Sequence, residues 1–208
     1  MQSGNYEDIS IAQIAARAGC SVGSFYLRFR NKEAFFEFLI ESISETLQAD
    51  ASANLTPDKV KPLTLAQTVR FCVEHYVETN RQYESVIRAA LQYSIHGSDD
   101  WQPVRDMGLM LQAHYIELIL GKSRRTSPDE ARHQLLVGLQ IISGHLVNSI
   151  AHPVNTLPLD DPQLSIWLCE VVMHCLKLQP PAHALSNQKT TRLHSASSRP
   201  THTTRRST

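Results

Sequence analysis

The chain has 208 residues, of which 42% are hydrophobic, enough for one domain or for a small domain joined to a larger one. No run reaches the roughly 18 apolar residues that span a bilayer, and the N-terminus lacks the segments of a signal peptide, so we expect a cytoplasmic protein without a membrane partner. The net charge of zero is unevenly distributed, because residues 1–185 hold 15 Lys and Arg against 20 Asp and Glu, whereas residues 186–208 hold five basic residues and no acid.

The first predicted helices are short and begin at clear capping signals. Ser10 and Gln13 form a capping box, and the helix that follows is expected to end at Gly19, which suits the left-handed position after a helix. Ser21 caps a second helix that runs to about Phe29. Asn31 caps a third helix, whose apolar residues share one face: Phe36, Leu39, Ile40, Ile43 and Leu47.

The rest of the chain also shows helical patterns, and strand-like alternation is nearly absent, so the predicted fold class is all-α. We expect a small helical domain with its connecting helix at 1–50, a larger helical domain at 64–180, and a disordered basic tail at 181–208. The tail is either a solvated end or a weak contact for phosphates. Proline marks a break at 54–63, and a loop is predicted at 97–100. Further helices are predicted at 64–80, 82–95 and 102–120, from Ser127 to about His152, and from Asp161 to before Pro180.

The last two predicted helices carry apolar residues beyond a single stripe, and these must be buried against something. A two-fold partner would supply that surface as a four-helix interface, which predicts a homodimer; central positions in a monomer core are the alternative. Gly138 and Gly144 would let helix backbones approach closely. The additional apolar residues are Leu136, Ile141, Trp167 and Val172.

Residues 10–29 have the pattern of a helix-turn-helix. Ile11, Ile14 and the alanines of the first helix form its inner face, and Gly19 permits the sharp turn. Val22 and either Phe25 or Tyr26 are expected to pack the second helix back against the first. The second helix is then free to enter the major groove of DNA, which admits one α-helix.

The sequence from Ser10 to Phe35 reads S-I-A-Q-I-A-A-R-A-G-C-S-V-G-S-F-Y-L-R-F-R-N-K-E-A-F. It resembles the tetracycline-repressor-like (TetR) pattern, T/S-x-x-x-I-A-x-x-A-G-V-S-x-G-T-F-Y-x-x-F-x-x-K-E-x-L, over about 26 residues. Cys20 replaces the usual Val, Ser24 the usual Thr, and Arg28 a common His. We interpret Cys20 as a buried small residue.

The resemblance implies a regulator that binds palindromic operator DNA as a homodimer, most simply a repressor, and that a small-molecule effector releases. It implies that Tyr26 and Lys32 hold phosphates and that Ser24 and its neighbours meet base edges. Packing is an alternative role for Tyr26, and a solvated charge an alternative for Arg28. The implied DNA-contacting residues are Ser10, Ser21, Gly23, Ser24, Tyr26, Arg28 and Lys32.

The family also carries a helix before this motif, whereas nine residues precede Ser10 here. We therefore expect a truncated or misplaced start, with an upstream in-frame segment rich in Ile, Leu, Ala and Phe. Without that segment, the inner face of the motif would be an exposed apolar patch. A dimeric ligand-sensing or interaction protein that has lost DNA binding is the alternative function. The expected patch consists of Ile11, Ile14, Phe25, Phe29 and Phe35.

The resemblance further implies an effector cavity in the larger helical domain, where an apolar pocket with a few polar groups suits a small amphipathic or aromatic molecule. Tyr76 is a further possible lining residue. The candidate ligand-binding residues are Phe71, His75, Tyr83, Tyr93, Met107, Met110, His114, Tyr115, His145 and Asn148.

No motif for an enzyme is found: a phosphate-binding loop, a nucleophile elbow and paired catalytic carboxylates are all missing from the sequence. Glu170 and His174 lie four residues apart on a predicted helix, and we interpret them as an ordinary side-chain pair and not as metal ligands. The four cysteines show no zinc-like or redox-like spacing, which favours free thiols. We therefore expect no catalysis, no metal and no cofactor.

Overall fold

A computed structural model of the chain describes residues 6–95, 101–123, 127–152 and 157–177, and all regular secondary structure in these ranges is helical. The loop predicted at 97–100 and the tail predicted at 181–208 lie outside the described residues. A 3-10 turn at Tyr6–Asp8 precedes the α-helices. These are α1 (Ile11–Arg17), α2 (Val22–Arg28), α3 (Lys32–Asn54), α4 (Pro57–Val60), α5 (Leu65–Gln82), α6 (Glu84–Ile95), α7 (Trp101–Leu120), α8 (Pro128–Ala151) and α9 (Leu164–Cys175).

The predicted caps of the first three helices are confirmed. Ser10 forms a complete capping box with Gln13. The Ser21 side chain accepts a hydrogen bond from the Ser24 amide, and the Asn31 side chain accepts one from the Ala34 amide at 2.8 Å. Each bond satisfies an amide that the first helical turn leaves without a partner, and therefore fixes where the helix begins.

Two boundaries differ from the sequence prediction. The segment predicted as a break at 54–63 contains α4, and Leu55 and Val60 are buried in the core. The last helix was predicted to begin at Asp161 but begins at Leu164. The Asp161 carboxylate accepts a hydrogen bond from the Gln163 amide at 2.7 Å, a local turn that competes with the first helical turn.

One buried core runs from α3 to α9. α3 packs against α7, α5 packs against α9, and α8 packs against both α7 and α9. By length and composition α8 is apolar enough to cross a membrane. Its central position in the core explains that composition, because one side of the helix is almost completely buried. The residues of that side are Leu135, Leu139, Ile142, Leu146 and Ile150.

An apolar surface remains on α8 and α9, and we refer to it as the α8–α9 face. Its side chains are each between 41% and 50% exposed. Val172 was predicted to belong to such a surface, but it is completely buried inside the subunit. Gly138 explains this difference, because a Cβ atom there would lie 3.4 Å from the Val172 Cα, so α8 and α9 of one chain approach closely at this point. The α8–α9 face consists of Leu136, Val137, Ile141, Ile166 and Trp167.

Candidate DNA interface and ligand cavity

The turn between α1 and α2 depends on Gly19. This residue has φ +67°, a left-handed conformation that glycine adopts without steric cost. The Gly19 amide donates to the Ala16 carbonyl at 3.2 Å and the Cys20 amide to the Ala15 carbonyl at 2.9 Å, the pattern of a Schellman motif. The motif ends α1 and redirects the chain, so α1 and α2 are two separate helices, as the helix-turn-helix interpretation requires.

α2 presents most of its side chains to solvent. Of the three residues considered for packing α2 against α1, Phe25 is buried and holds the helix on the protein, whereas Val22 is 41% exposed and Tyr26 is 54% exposed. Leu27 is 90% exposed. Ser24 and Arg28 are also exposed. A helix that is anchored by one residue and open elsewhere has a surface available for docking in a groove.

Leu27 is a candidate contact that the sequence analysis missed. It lies three residues after Ser24, and residues at this spacing share a helix face. The family pattern F-Y-x-x-F leaves the position of Leu27 unspecified, so the resemblance implies no role for it. An exposed leucine on a groove-facing helix suits an apolar contact with the methyl group of thymine.

The hydroxyl groups of Ser10 and Ser21 are already used as helix caps. Ser21 Oγ lies 2.9 Å from Ser24 Oγ and 3.0 Å from the Ser24 amide nitrogen. Gly23 is exposed, and the nearest atom to a Cβ placed there would be Ser21 Oγ at 3.7 Å. These residues therefore position the start of α2, and a contact with DNA would be additional to that role.

Lys32 lies in a different environment from the one expected of a phosphate anchor. Its side chain is half-buried, and Nζ donates to the Tyr6 carbonyl at 2.5 Å. The same ammonium group lies 4.3 Å from the centroid of the Tyr6 ring, a cation–π geometry. Lys32 thus fastens the N-terminal turn to the start of α3, and a phosphate contact would be additional to this role, since an ammonium group has three donors.

Aromatic packing covers part of the patch that was expected to be exposed. The Phe25 ring lies 5.3 Å from the Phe29 ring and 5.5 Å from the Phe35 ring, and Phe25 is only 4% exposed. Ile11 and Ile14 are half-buried. Cys20, which was interpreted as buried, is exposed, because it occupies the turn and not either helix.

A chain of polar side chains connects α3 to the larger helical region. His75 on α5 bonds through Nε2 to the Asp50 carboxylate at 2.9 Å and through Nδ1 to the Tyr115 hydroxyl at 2.8 Å. Tyr115 is completely buried, and burial raises the pKa of its hydroxyl. The hydrogen bond from His75 holds the pKa of Asp50 below its ordinary value, against the opposing effect of burial. The helix that follows α2 is therefore joined to α5 and α7 by directional bonds.

The lowered pKa of Asp50 predicts a pH-dependent contribution to stability. The ionised carboxylate is favoured in the folded state, so its contribution is complete above the ordinary pKa of 3.8 and is lost as the pH falls through the depressed value. Because the side chain is 39% exposed, we expect an effect below about 1 kcal/mol. Urea unfolding of Asp50→Asn from about pH 6 to about pH 3 should show a flatter dependence than the wild type. Asp160→Asn, at an exposed loop position, is the control and should keep the wild-type slope.

A cavity of about 190 Å³ lies among α3, α5, α6, α7 and α8. Asn80 and Gln112 are buried polar residues of its wall, and each is hydrogen-bonded to Tyr76. Most of the other lining groups are apolar, which is the composition of a small-molecule site. The lining residues are Leu47, Tyr76, Thr79, Asn80, Tyr83, Ile87, Val104, Arg105, Met107, Gly108, Leu109, Leu111, Gln112, Gln140, Ser143 and Val147.

The structure gathers few of the predicted ligand residues in this cavity. Tyr83 and Met107 line it, and so does Tyr76. Met110 lines a separate groove between α3 and α7, and His114 lines another beside α4. The remaining predicted residues lie elsewhere. Phe71 is half-buried against the core, and His75 and Tyr115 belong to the polar chain. His145 Nε2 lies 3.4 Å from Ser149 Oγ, Asn148 is exposed, and the side chain of Tyr93 is outside the described part.

Sequence reasoning missed the polar residues of the cavity wall: Thr79, Asn80, Arg105, Gln112, Gln140 and Ser143. Spacing offered a weak signal for two of these groups. Arg105, Gly108 and Gln112 follow one another at three and four residues on α7, and Gln140, Ser143 and Val147 do so on α8. Among the described residues, no group of three or more His, Cys, Asp and Glu side chains is arranged to hold a metal ion.

The helix-turn-helix residues coincide with a known family pattern. Residues 1–39 match the family model described as bacterial regulatory proteins, tetR family. The matched stretch contains α1, the Gly19 turn, α2 and the first third of α3. No curated protein and no solved structure matches the chain.

Proposed function

We propose that this chain is a TetR-type DNA-binding transcriptional regulator, and that it acts as a cytoplasmic homodimeric repressor that a small-molecule effector releases from palindromic operator DNA. The match of residues 1–39 to the tetR family model supports the DNA-binding part of this proposal. The matched family consists of regulators, which favours a regulator over an enzyme. The observation that carries the proposal is the exposed surface of α2, a short helix held on the protein by Phe25.

The α8–α9 face supports the homodimer. Its five apolar side chains are about half exposed and lie on two helices that pack together. A second copy would bury the same residues on both sides of a two-fold axis. Two α2 helices would then be positioned to read half-sites about 34 Å apart, one turn of DNA, which explains the expected preference for a palindrome.

The position of α3 supports release by an effector. This helix begins at Lys32, four residues after α2 ends at Arg28. It contributes Leu47 to the cavity wall and holds Asp50 against His75. A ligand in the cavity therefore touches the helix that carries the DNA-binding elements. To cause release, the ligand must bind more tightly to a conformation in which the two α2 helices are wrongly spaced.

A mobility-shift titration on the DNA that flanks the gene tests the proposal. We expect a saturable shift of a flanking fragment. An excess of the same unlabelled fragment should abolish the shift, whereas an excess of unrelated DNA should not. The proposal is wrong if, as the protein concentration is raised, no flanking fragment is shifted before unrelated DNA is shifted.

Arg28→Ala separates backbone contacts from base reading on α2. We expect weaker binding to all sequences and a reduction of about 0.9 in the slope of log affinity against log salt concentration, because one phosphate contact is lost. Ser24→Ala and Leu27→Ala should instead change which operator variants are preferred. Arg132→Gln, on α8, is the control and should bind like the wild type. An unchanged salt slope in Arg28→Ala would exclude a phosphate contact by this residue.

A further inference from the structure

The size of the cavity limits what it can hold. Its volume is about 190 Å³. A dry apolar cavity of about 150 Å³ accommodates benzene, so a six-membered ring with a few additional atoms fits here. Leu47, Met107 and Leu111 are buried and supply an apolar wall for such a ring.

Arg105 gives the cavity its charge. Arg105 is exposed to solvent at the rim, and it is the one charged side chain among the described residues that line the cavity. No carboxylate of the described residues lies within ion-pair distance of it. Its guanidinium donates to the Gln102 amide oxygen, which is uncharged. By contrast, Arg70 and Arg132 are each paired with a glutamate. A guanidinium without a counter-ion beside an apolar cavity favours a ligand with a carboxylate, which it can bind through two hydrogen bonds.

Gly108 lies one turn from Arg105 on α7 and is the second feature that points to a ligand. A glycine in the interior of a helix costs about 1 kcal/mol relative to alanine. Gly138 has a packing reason inside the subunit, but a Cβ atom at Gly108 would meet no protein atom within 4 Å. Open space at this glycine lets a ring approach the backbone of α7 closely.

We propose that the effector is a small monocarboxylate with a ring-sized apolar body, bound with its carboxylate on Arg105 and its ring over Gly108. This inference rests on the proposed function, since it assigns the chemical class of the molecule that releases the operator. The apolar wall would contact the ring of this ligand, and the guanidinium of Arg105 would bind its carboxylate. A neutral analogue of the same shape would lose the charge-assisted hydrogen bonds.

Calorimetric titration of the full chain with sodium benzoate tests the proposal, with benzamide as the neutral probe of similar shape. We expect saturable binding of benzoate and binding of benzamide that is about tenfold weaker or more. Arg105→Gln should weaken benzoate binding by about ten- to a hundredfold and leave benzamide binding almost unchanged. Arg132→Gln removes an exposed arginine away from the cavity and should bind benzoate like the wild type.

Gly108→Leu provides an independent test of the ring position. The added side chain projects into open space, so the protein should fold with wild-type stability or better, and it should block benzoate by occupying the cavity. Thermal unfolding monitored by circular dichroism verifies the fold of each variant.

The proposal is overturned if benzoate shows no saturable binding, if benzamide binds equally well, or if Arg105→Gln or Gly108→Leu binds benzoate like the wild type. A mobility shift on flanking DNA is measured with the same preparation. A shift without benzoate binding would refute the monocarboxylate and leave the regulator intact. Benzoate binding without any DNA shift would support the ligand site and contradict the operator-binding function.

Discussion

Ile141→Asp is expected to separate the protein into monomers and to weaken operator binding by about a hundredfold or more, because each α2 helix would then bind its half-site without a linked partner. Ile141 is 50% exposed, so the substitution leaves the core of the subunit unchanged. In the proposed dimer, however, each copy would bury a carboxylate in an apolar interface, a strongly unfavourable environment. Light scattering after size-exclusion chromatography gives the mass, and the mobility-shift titration gives the affinity.

The control for this experiment is Ala113→Asp, which adds the same charge at an exposed position of α7 outside the α8–α9 face. It should remain dimeric and bind the operator like the wild type. A monomeric wild type, or an Ile141→Asp variant that is as dimeric as the wild type, would show that the α8–α9 face is not the interface.

Gly138→Leu is expected to lower the free energy of unfolding by about 1–3 kcal/mol, whereas Gly144→Leu is expected to leave the fold of the subunit unchanged. A Cβ atom at Gly138 would make ordinary contacts with Val172 and Cys175, so alanine fits, but the larger leucine would force α8 and α9 apart. A Cβ atom at Gly144 would meet nothing within the subunit. Urea unfolding of both variants in the monomeric Ile141→Asp background compares the stability of the subunit alone, because the stability of a dimer also depends on its interface and on protein concentration.

The two glycines also distinguish a close helix contact inside the subunit, at Gly138, from one between subunits, at Gly144. Gly144 shares a helical face with Val137 and Ile141, so a leucine there should weaken the dimer although it leaves the subunit folded. Gly138→Ala is the matched mild substitution and should be nearly neutral. If Gly144→Leu formed a dimer as stable as the wild type, close backbone contact at this position would be excluded.

The DNA-binding elements could be predicted from the sequence almost residue by residue because their determinants are local. Ser10, Ser21 and Asn31 act within three residues of their partners, and Gly19 sets the turn through its own backbone conformation. The hydrogen bond from Lys32 to the Tyr6 carbonyl joins residues 26 positions apart, and no local sequence pattern indicates it. For this reason the expected phosphate anchor has a partner inside the protein.

The ligand cavity could be predicted only as a region. Residue type suggested aromatic, Met and His side chains between α5 and α8, but which face each helix turns to the cavity is decided by tertiary packing. His75 and Tyr115 bond to each other and are therefore part of the structure between α3 and α7. Arg105 and Gly108 were overlooked because neither has a distinctive local pattern, and their meaning depends on the open space beside them.

Hydrogen–deuterium exchange with and without operator DNA tests most directly whether α2 is the surface that reads DNA. We predict slower exchange of the amides of Val22–Arg28 in the presence of the operator, and no such change with a scrambled duplex of equal length. Exchange in α5 should change less, because that helix lies in the larger helical region. If the operator bound while exchange in α2 was unchanged and protection appeared only elsewhere, α2 would not be the recognition helix.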